Sequence, residues 1–122
     1  MIGSEDDILN FAASAIGSIW ALELLLLIKQ EARSWSSAEL VRQLRGSEAV
    51  IAQALERLRG VGLIADEAGR YRYHPASPEA GDLAEALESL YRSKPVAVVS
   101  AIANAPQRKL QILSDAFRLK KD

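Results

Sequence analysis

A single histidine, His74, and no cysteine leave this chain without disulfides, thiolate metal sites or a multi-histidine relay. Serines and carboxylates are plentiful, but no glycine-framed nucleophile, phosphate-binding loop or EF-hand-like loop joins them into a site. The chain is therefore expected not to be an enzyme and to hold no metal or cofactor. The residues with patterned spacing are instead those that hydrogen-bond and carry charge. Glu48, Gln53, Glu56 and Arg57 share one stripe of a helical segment, and Arg70 and Arg72 lie on a hairpin behind it. Such side chains recognise a surface rather than break bonds.

The stretch from Ser36 to Ile64 must position them. Ser36 and Glu39 have capping-box spacing, with Trp35 and Leu40 placed as the accompanying staple, so a helix is expected over about 37–44. Gly46 is expected to supply the flexible or positive-φ residue of a sharp turn, and Ser47 to cap a second helix over about 47–59. In that helix Ile51, Ala54, Leu55 and Leu58 recur at core-facing spacings. Gly60 and Gly62 close it. Leu63 to Tyr73 then reads as two short strands around a turn at Glu67, Ala68 and Gly69. Two helices joined by a tight turn make the reading of nucleic acid the leading expectation.

On either side lie further helices. Ser4 with Glu5, Asp6 and Asp7 marks a helix start, and Ile8 to Ile28 carries one charge, Glu23. That run has the length of a membrane span, but Asn10, Gly17, Ser18 and Glu23 interrupt it, so two helices or one bent helix to about Ala32 is the better account. SIWALELLLLIKQ is apolar nearly all round, more than so small a domain is expected to bury alone. A homodimer is expected to cover part of it through Phe11, Ile16, Ile19 and Trp20. Downstream, Ser77 and Pro78 open a helix to about Arg92 with Leu83, Leu87, Leu90 and Tyr91 inward. Pro95 opens another whose buried side is read as Val96, Val99, Ile102 and Ala103, and a last helix is expected over about 107–119.

Net charge is −1, with −4 over residues 75–91 and +5 over 92–122. The basic tail, ending in Arg118, Lys120 and Lys121, suits a helix C-terminus as well as it suits a ligand. A protein that coats nucleic acid through bulk charge is disfavoured.

With this order on the page, residues from about Ile19 to His74 resemble a winged helix-turn-helix domain of bacterial transcriptional regulators, MarR-like in the broad sense. SEAVIAQALERLRGVGLI is similar to the recognition helix of such proteins and LIADEAGRYRY looks like the wing, at residues 65–73. The tail resembles that of small uncharacterised bacterial winged-helix proteins, which assigns it no activity. The resemblance implies that Ser47, Glu48, Ala49, Ala52, Gln53 and Arg57 approach base edges in the major groove, Gln53 suiting adenine and Arg57 guanine or phosphate. It further implies that Ser37, Arg42 and Arg45 hold the backbone, and that Arg70, with Arg72 beside it, meets a minor groove or phosphates. Glu48 and Glu56 oppose that role, so binding is expected to be weak, steeply salt-dependent or reliant on dimerisation.

The sequence thus predicts one domain, mainly α with a small β-hairpin wing: N-terminal helices over 1–33, helix-turn-helix and wing over 34–74, and C-terminal helices over 75–122 as a dimerisation or effector platform. The expected function is that of a cytoplasmic, homodimeric regulator of transcription bound to double-stranded DNA, away from membranes, with room for a small-molecule effector. The alternative is a winged-helix module that binds protein and reads no DNA sequence.

Overall fold

The computed structural model describes residues 4–104, within which the chain is mainly helical with a small three-stranded antiparallel sheet. The helix expected over 107–119 and the basic tail lie outside the described residues. Helix α1 (Glu5–Phe11) starts at a reciprocal cap between Ser4 and Asp7 and runs into a π-helical turn, Ala12–Ile16. Gly17 ends that turn at φ +79°, a left-handed conformation that glycine adopts without a Cβ penalty. Ser18 then caps α2 (Ile19–Gln30) by accepting from the Ala21 N–H at 3.0 Å. The two helical stretches meet at 102°, and no single helix among the described residues is long and apolar enough to cross a membrane.

Helix α2 is the centre of the core. Ala21, Leu22, Leu24, Leu25, Leu26 and Ile28 are all buried within one protomer, where each large aliphatic side chain contributes about 1.5–3 kcal/mol. More of the helix is thus buried by the protomer itself than the sequence suggested, with Trp20 left exposed and Ile19 and Leu27 half-buried. The surface is covered from several sides at once: α4 and α3 on one flank, the sheet at β3, the π-turn, and α5 through side-chain bonds.

Strand β1 (Trp35–Ser36) leads directly into α3 (Ser37–Leu44), whose capping box pairs Ser36 with Glu39 as the spacing requires. Helix α4 (Glu48–Gly60) is capped by Ser47, and it buries Ile51, Ala54, Leu55 and Leu58, the stripe read from the sequence. The hairpin strands β2 (Ile64–Glu67) and β3 (Arg70–Tyr73) pair with Ile64 opposite Tyr73 and Glu67 opposite Arg70. Strand β1 adds to the other side of β3, with Trp35 opposite Tyr71, giving the order β1-β3-β2. Tyr71 and Tyr73 pack against the core, while Ala68 (φ +55°) and Gly69 (φ +80°) make the two-residue turn between the strands.

Helix α5 (Pro78–Ser93) opens at the Ser77 cap with Pro78 in its first turn, and α6 (Pro95–Ala103) follows after one residue. The phase of α6 differs from the sequence expectation. Ile102 is buried as expected, but together with Val98 and Ala101, whereas Val96 is 76% and Val99 38% exposed and Ala103 is exposed as well. PVAVVSAIA is apolar at so many positions that its periodicity fits more than one face; packing on the π-turn, α1 and α5 selects this one.

Candidate nucleic-acid interface

The turn between α3 and α4 sets Arg42 and Arg45 next to the first turns of α4. Its left-handed residue is Arg45, at φ +56°, and not Gly46. Gly46 is needed for a different reason: a Cβ there would lie 3.1 Å from the Trp20 ring and 3.2 Å from Ile51 Cδ1. Trp20, 39% exposed, is thereby laid against the turn from the first part of α2. Arg42 and Arg45 are both exposed, and neither takes part in an ion pair among the described residues. Ser37 is exposed at the start of α3.

Along α4, Ser47, Glu48, Ala49, Ala52, Gln53 and Glu56 all face solvent. The small Ala49 and Ala52 leave backbone and neighbours open to close approach. Arg57 does not join this face. Its side chain folds back toward the N-terminal helix, donating from Nε to the Ala15 carbonyl oxygen and from Nη2 to that of Ser14, each at 2.9 Å. Carbonyls at the end of a helical segment lack their own donors, and a planar fork satisfies two at once. The place expected for Arg57 at a guanine is thus held, in this conformation, by a structural contact.

The other arginines are largely neutralised in place. Arg70 donates to Ser34 Oγ at 3.1 Å, to the Ser34 carbonyl oxygen at 3.2 Å and to Glu39 Oε1 at 3.2 Å. Arg33 pairs with the other oxygen of Glu39 at 3.5 Å and lies over the Trp35 ring. Arg72 bonds Glu67 through Nε and Nη2 at 2.9 and 2.7 Å, and Arg59 pairs with Glu56. Glu39 is the hub that the sequence concealed. Its capping role was evident from spacing, but the two arginines it collects come from the loop before β1 and from the wing. The Ser36 backbone N–H, helped by the Ser36 hydroxyl and by Arg33 and Arg70, holds its carboxyl below the usual range.

Of the residues expected at a dimer contact, Ile16 is 1% exposed and belongs to the protomer's own core. Phe11 and Ile19 are half-buried and pack against that core, so of the four Trp20 alone is exposed, at 39%. Beside it a shallow groove of about 340 Å³ runs between Gly17, Ser18 and Trp20 on one side and Val50 and Gln53 of α4 on the other. No cluster of three or more potential metal-ligating side chains occurs among the described residues. His74 is exposed in the loop that follows β3.

The chain matches no protein-family model, no curated protein and no solved structure.

Proposed function

We propose that this protein is a DNA-binding regulator of transcription, reading the major groove with the N-terminal half of α4 and holding phosphates with Arg42 and Arg45. The observation that carries the reading is the arrangement around the turn: an unobstructed helix face of Ser47, Glu48, Ala49, Ala52 and Gln53 next to two exposed arginines without acidic partners among the described residues. The β2–β3 hairpin follows α4 directly in the chain, in the order that a winged-helix reading requires. Two such arginines by themselves supply little electrostatic affinity. Function therefore calls for a homodimer that places two recognition helices one helical turn of DNA apart. The test is selection from a random duplex pool, followed by anisotropy titrations over a salt series and sedimentation of the free protein. Enrichment of a two-fold symmetric site, lost with Gln53→Ala, is expected; equal retention of all sequences at low salt overturns the reading.

A second reading has its own observation. Arg33, Arg59, Arg70 and Arg72 all sit in ion pairs, Arg33 and Arg70 sharing Glu39 and the others taking Glu56 and Glu67, so most of the positive charge on the wing side is already compensated. A face so compensated, with an exposed Trp20, suits a protein partner better than phosphates. In that case the selection yields no site, and substitution of Arg42 or Arg45 leaves the function untouched.

A further inference from the structure

A cleft of about 470 Å³ opens on the side of the molecule where α2, α3, α5 and the start of α6 meet. Its floor is apolar, made by Leu26 and Leu27 of α2, Leu44 at the end of α3, and Pro95. That volume falls within the range of small-molecule sites, about 300–1,000 Å³. The charges on its walls are not equivalent. Glu88, 8% exposed, is fully engaged: Oε1 accepts from Lys29 at 2.6 Å, and Oε2 accepts from Gln30 at 3.0 Å and pairs with Arg92 at 3.3 Å. The charge of Glu88 is thus already shared between Lys29 and Arg92.

Glu23 is different. Its Oε1 accepts from the Tyr91 hydroxyl at 3.0 Å, and among the described residues no cation pairs with it. It is a half-buried carboxylate beside the leucine floor, with an aromatic ring fixed next to it. Low local polarity strengthens the attraction of such a group for a cation, and the ring adds to it if the cation lies over its face. An inorganic ion would leave the leucine floor wet. We infer that this cleft is a binding site for a small organic ammonium compound with an apolar body, the ammonium on Glu23 and the body on Leu26, Leu27 and Leu44.

The site deepens the effector role foreseen for the C-terminal helices, but its occupancy does not depend on α4 reading DNA and is measured on the protein alone. Leu44 is the last residue of α3, immediately before left-handed Arg45, so an occupant touches the turn that sets α4.

The experiment is calorimetric titration of the full chain with phenethylamine, with its neutral analogue 2-phenylethanol and with the anion 3-phenylpropionate. The amine is expected to bind about tenfold or more tightly than either analogue, a difference of about 1.4 kcal/mol. Glu23→Gln, which keeps an acceptor for Tyr91, is expected to remove that preference and leave the alcohol unchanged. Gln43→Arg, at an exposed position on the rim, places a like charge there and is expected to weaken the amine severalfold without touching the core. Equal binding of all three compounds, binding of none up to their solubility, or an amine affinity indifferent to both substitutions overturns the proposal.

Discussion

The guanidinium of Arg57 is seated against Gly17: a Cβ on that glycine would stand 2.6 Å from Arg57 Nη2. One contact therefore ties the last turn of α4 to the end of the π-turn, two elements about forty residues apart in sequence, and it does so through the carbonyl oxygens of Ser14 and Ala15. Gly17→Ala is expected to destabilise by about 1–2 kcal/mol through the left-handed backbone alone, and by more because Arg57 must move. Arg57→Ala removes two charge-assisted bonds, at a cost of about 1–3 kcal/mol. Because both act on the same contact, the double variant is expected to lose less than the sum. Urea unfolding of the four proteins measures this; strict additivity refutes the coupling.

Lys29 and Glu88 make the most buried ion pair among the described residues, joining α2 to α5. Burial works against the Lys29 ammonium, but hydrogen bonds and charge from Glu85 and Glu88 outweigh it and raise its pKa above the ordinary lysine value. Hydrogen bonds from Lys29 and Gln30 hold the Glu88 carboxyl below its ordinary value against the opposing effect of burial, with the charges of Lys29 and Arg92 adding to them. The Glu88 contribution is fully present above the unfolded glutamate pKa of about 4.3 and is lost as pH falls through the depressed folded value. The Lys29 contribution is fully present below about 10.4 and is lost as pH rises through the raised one. Glu88→Gln is expected to cost about 2–3 kcal/mol at neutral pH. Urea midpoints taken against pH should show the gap between wild type and variant closing below pH about 4; a constant gap contradicts the assignment.

The hairpin turn carries a correctable strain. Ala68 occupies the left-handed region at φ +55° in front of Gly69, and the Gly69 N–H bonds the Asp66 side chain at 3.0 Å. A two-residue turn with both residues at positive φ favours Asn-Gly. Ala68→Asn is expected to stabilise by about 0.5–1 kcal/mol, read as a higher melting temperature with the wing otherwise unchanged. Arg45, also left-handed, permits the same argument: Arg45→Gly is expected to stabilise slightly while removing one exposed charge from the turn.

How much of this was legible depends on how local each signal is. Ser36 with Glu39, Ser47, and Ser77 with Pro78 fixed three helix starts because a cap is made by residues three apart. The stripe of α4 was equally plain, since its polar and apolar residues alternate cleanly. Arg57 misled because its spacing puts it near the exposed stripe, while its partners at Ser14 and Ala15 arise only from the tertiary fold. Gly46 was expected to be the flexible or positive-φ residue of the turn; its neighbour Arg45 takes the positive φ, and Gly46 instead leaves Trp20 and Ile51 the room that a Cβ would crowd. Strand β1 is two residues long and exists only through β3. No periodicity reports so short a segment.

The wing's charge balance gives the sharpest prediction for the proposed reader. Glu39 holds Arg33 and Arg70 at once, so two cations beside the start of α3 share one carboxylate. Glu39→Gln keeps a side chain that can complete a capping box while withdrawing the negative charge. It is expected to raise affinity for duplex DNA severalfold and to steepen the salt dependence by about one to two phosphates per protomer. Arg42→Ala or Arg45→Gly is expected to reduce that slope by about 1 each, uniformly across sequences, whereas Gln53→Ala should alter sequence preference at an unchanged slope. Anisotropy titrations at four salt concentrations separate these effects. If Glu39→Gln leaves the slope where it was, Arg33 and Arg70 take no part in the interface, and the charge-compensated wing is better understood as a surface for protein.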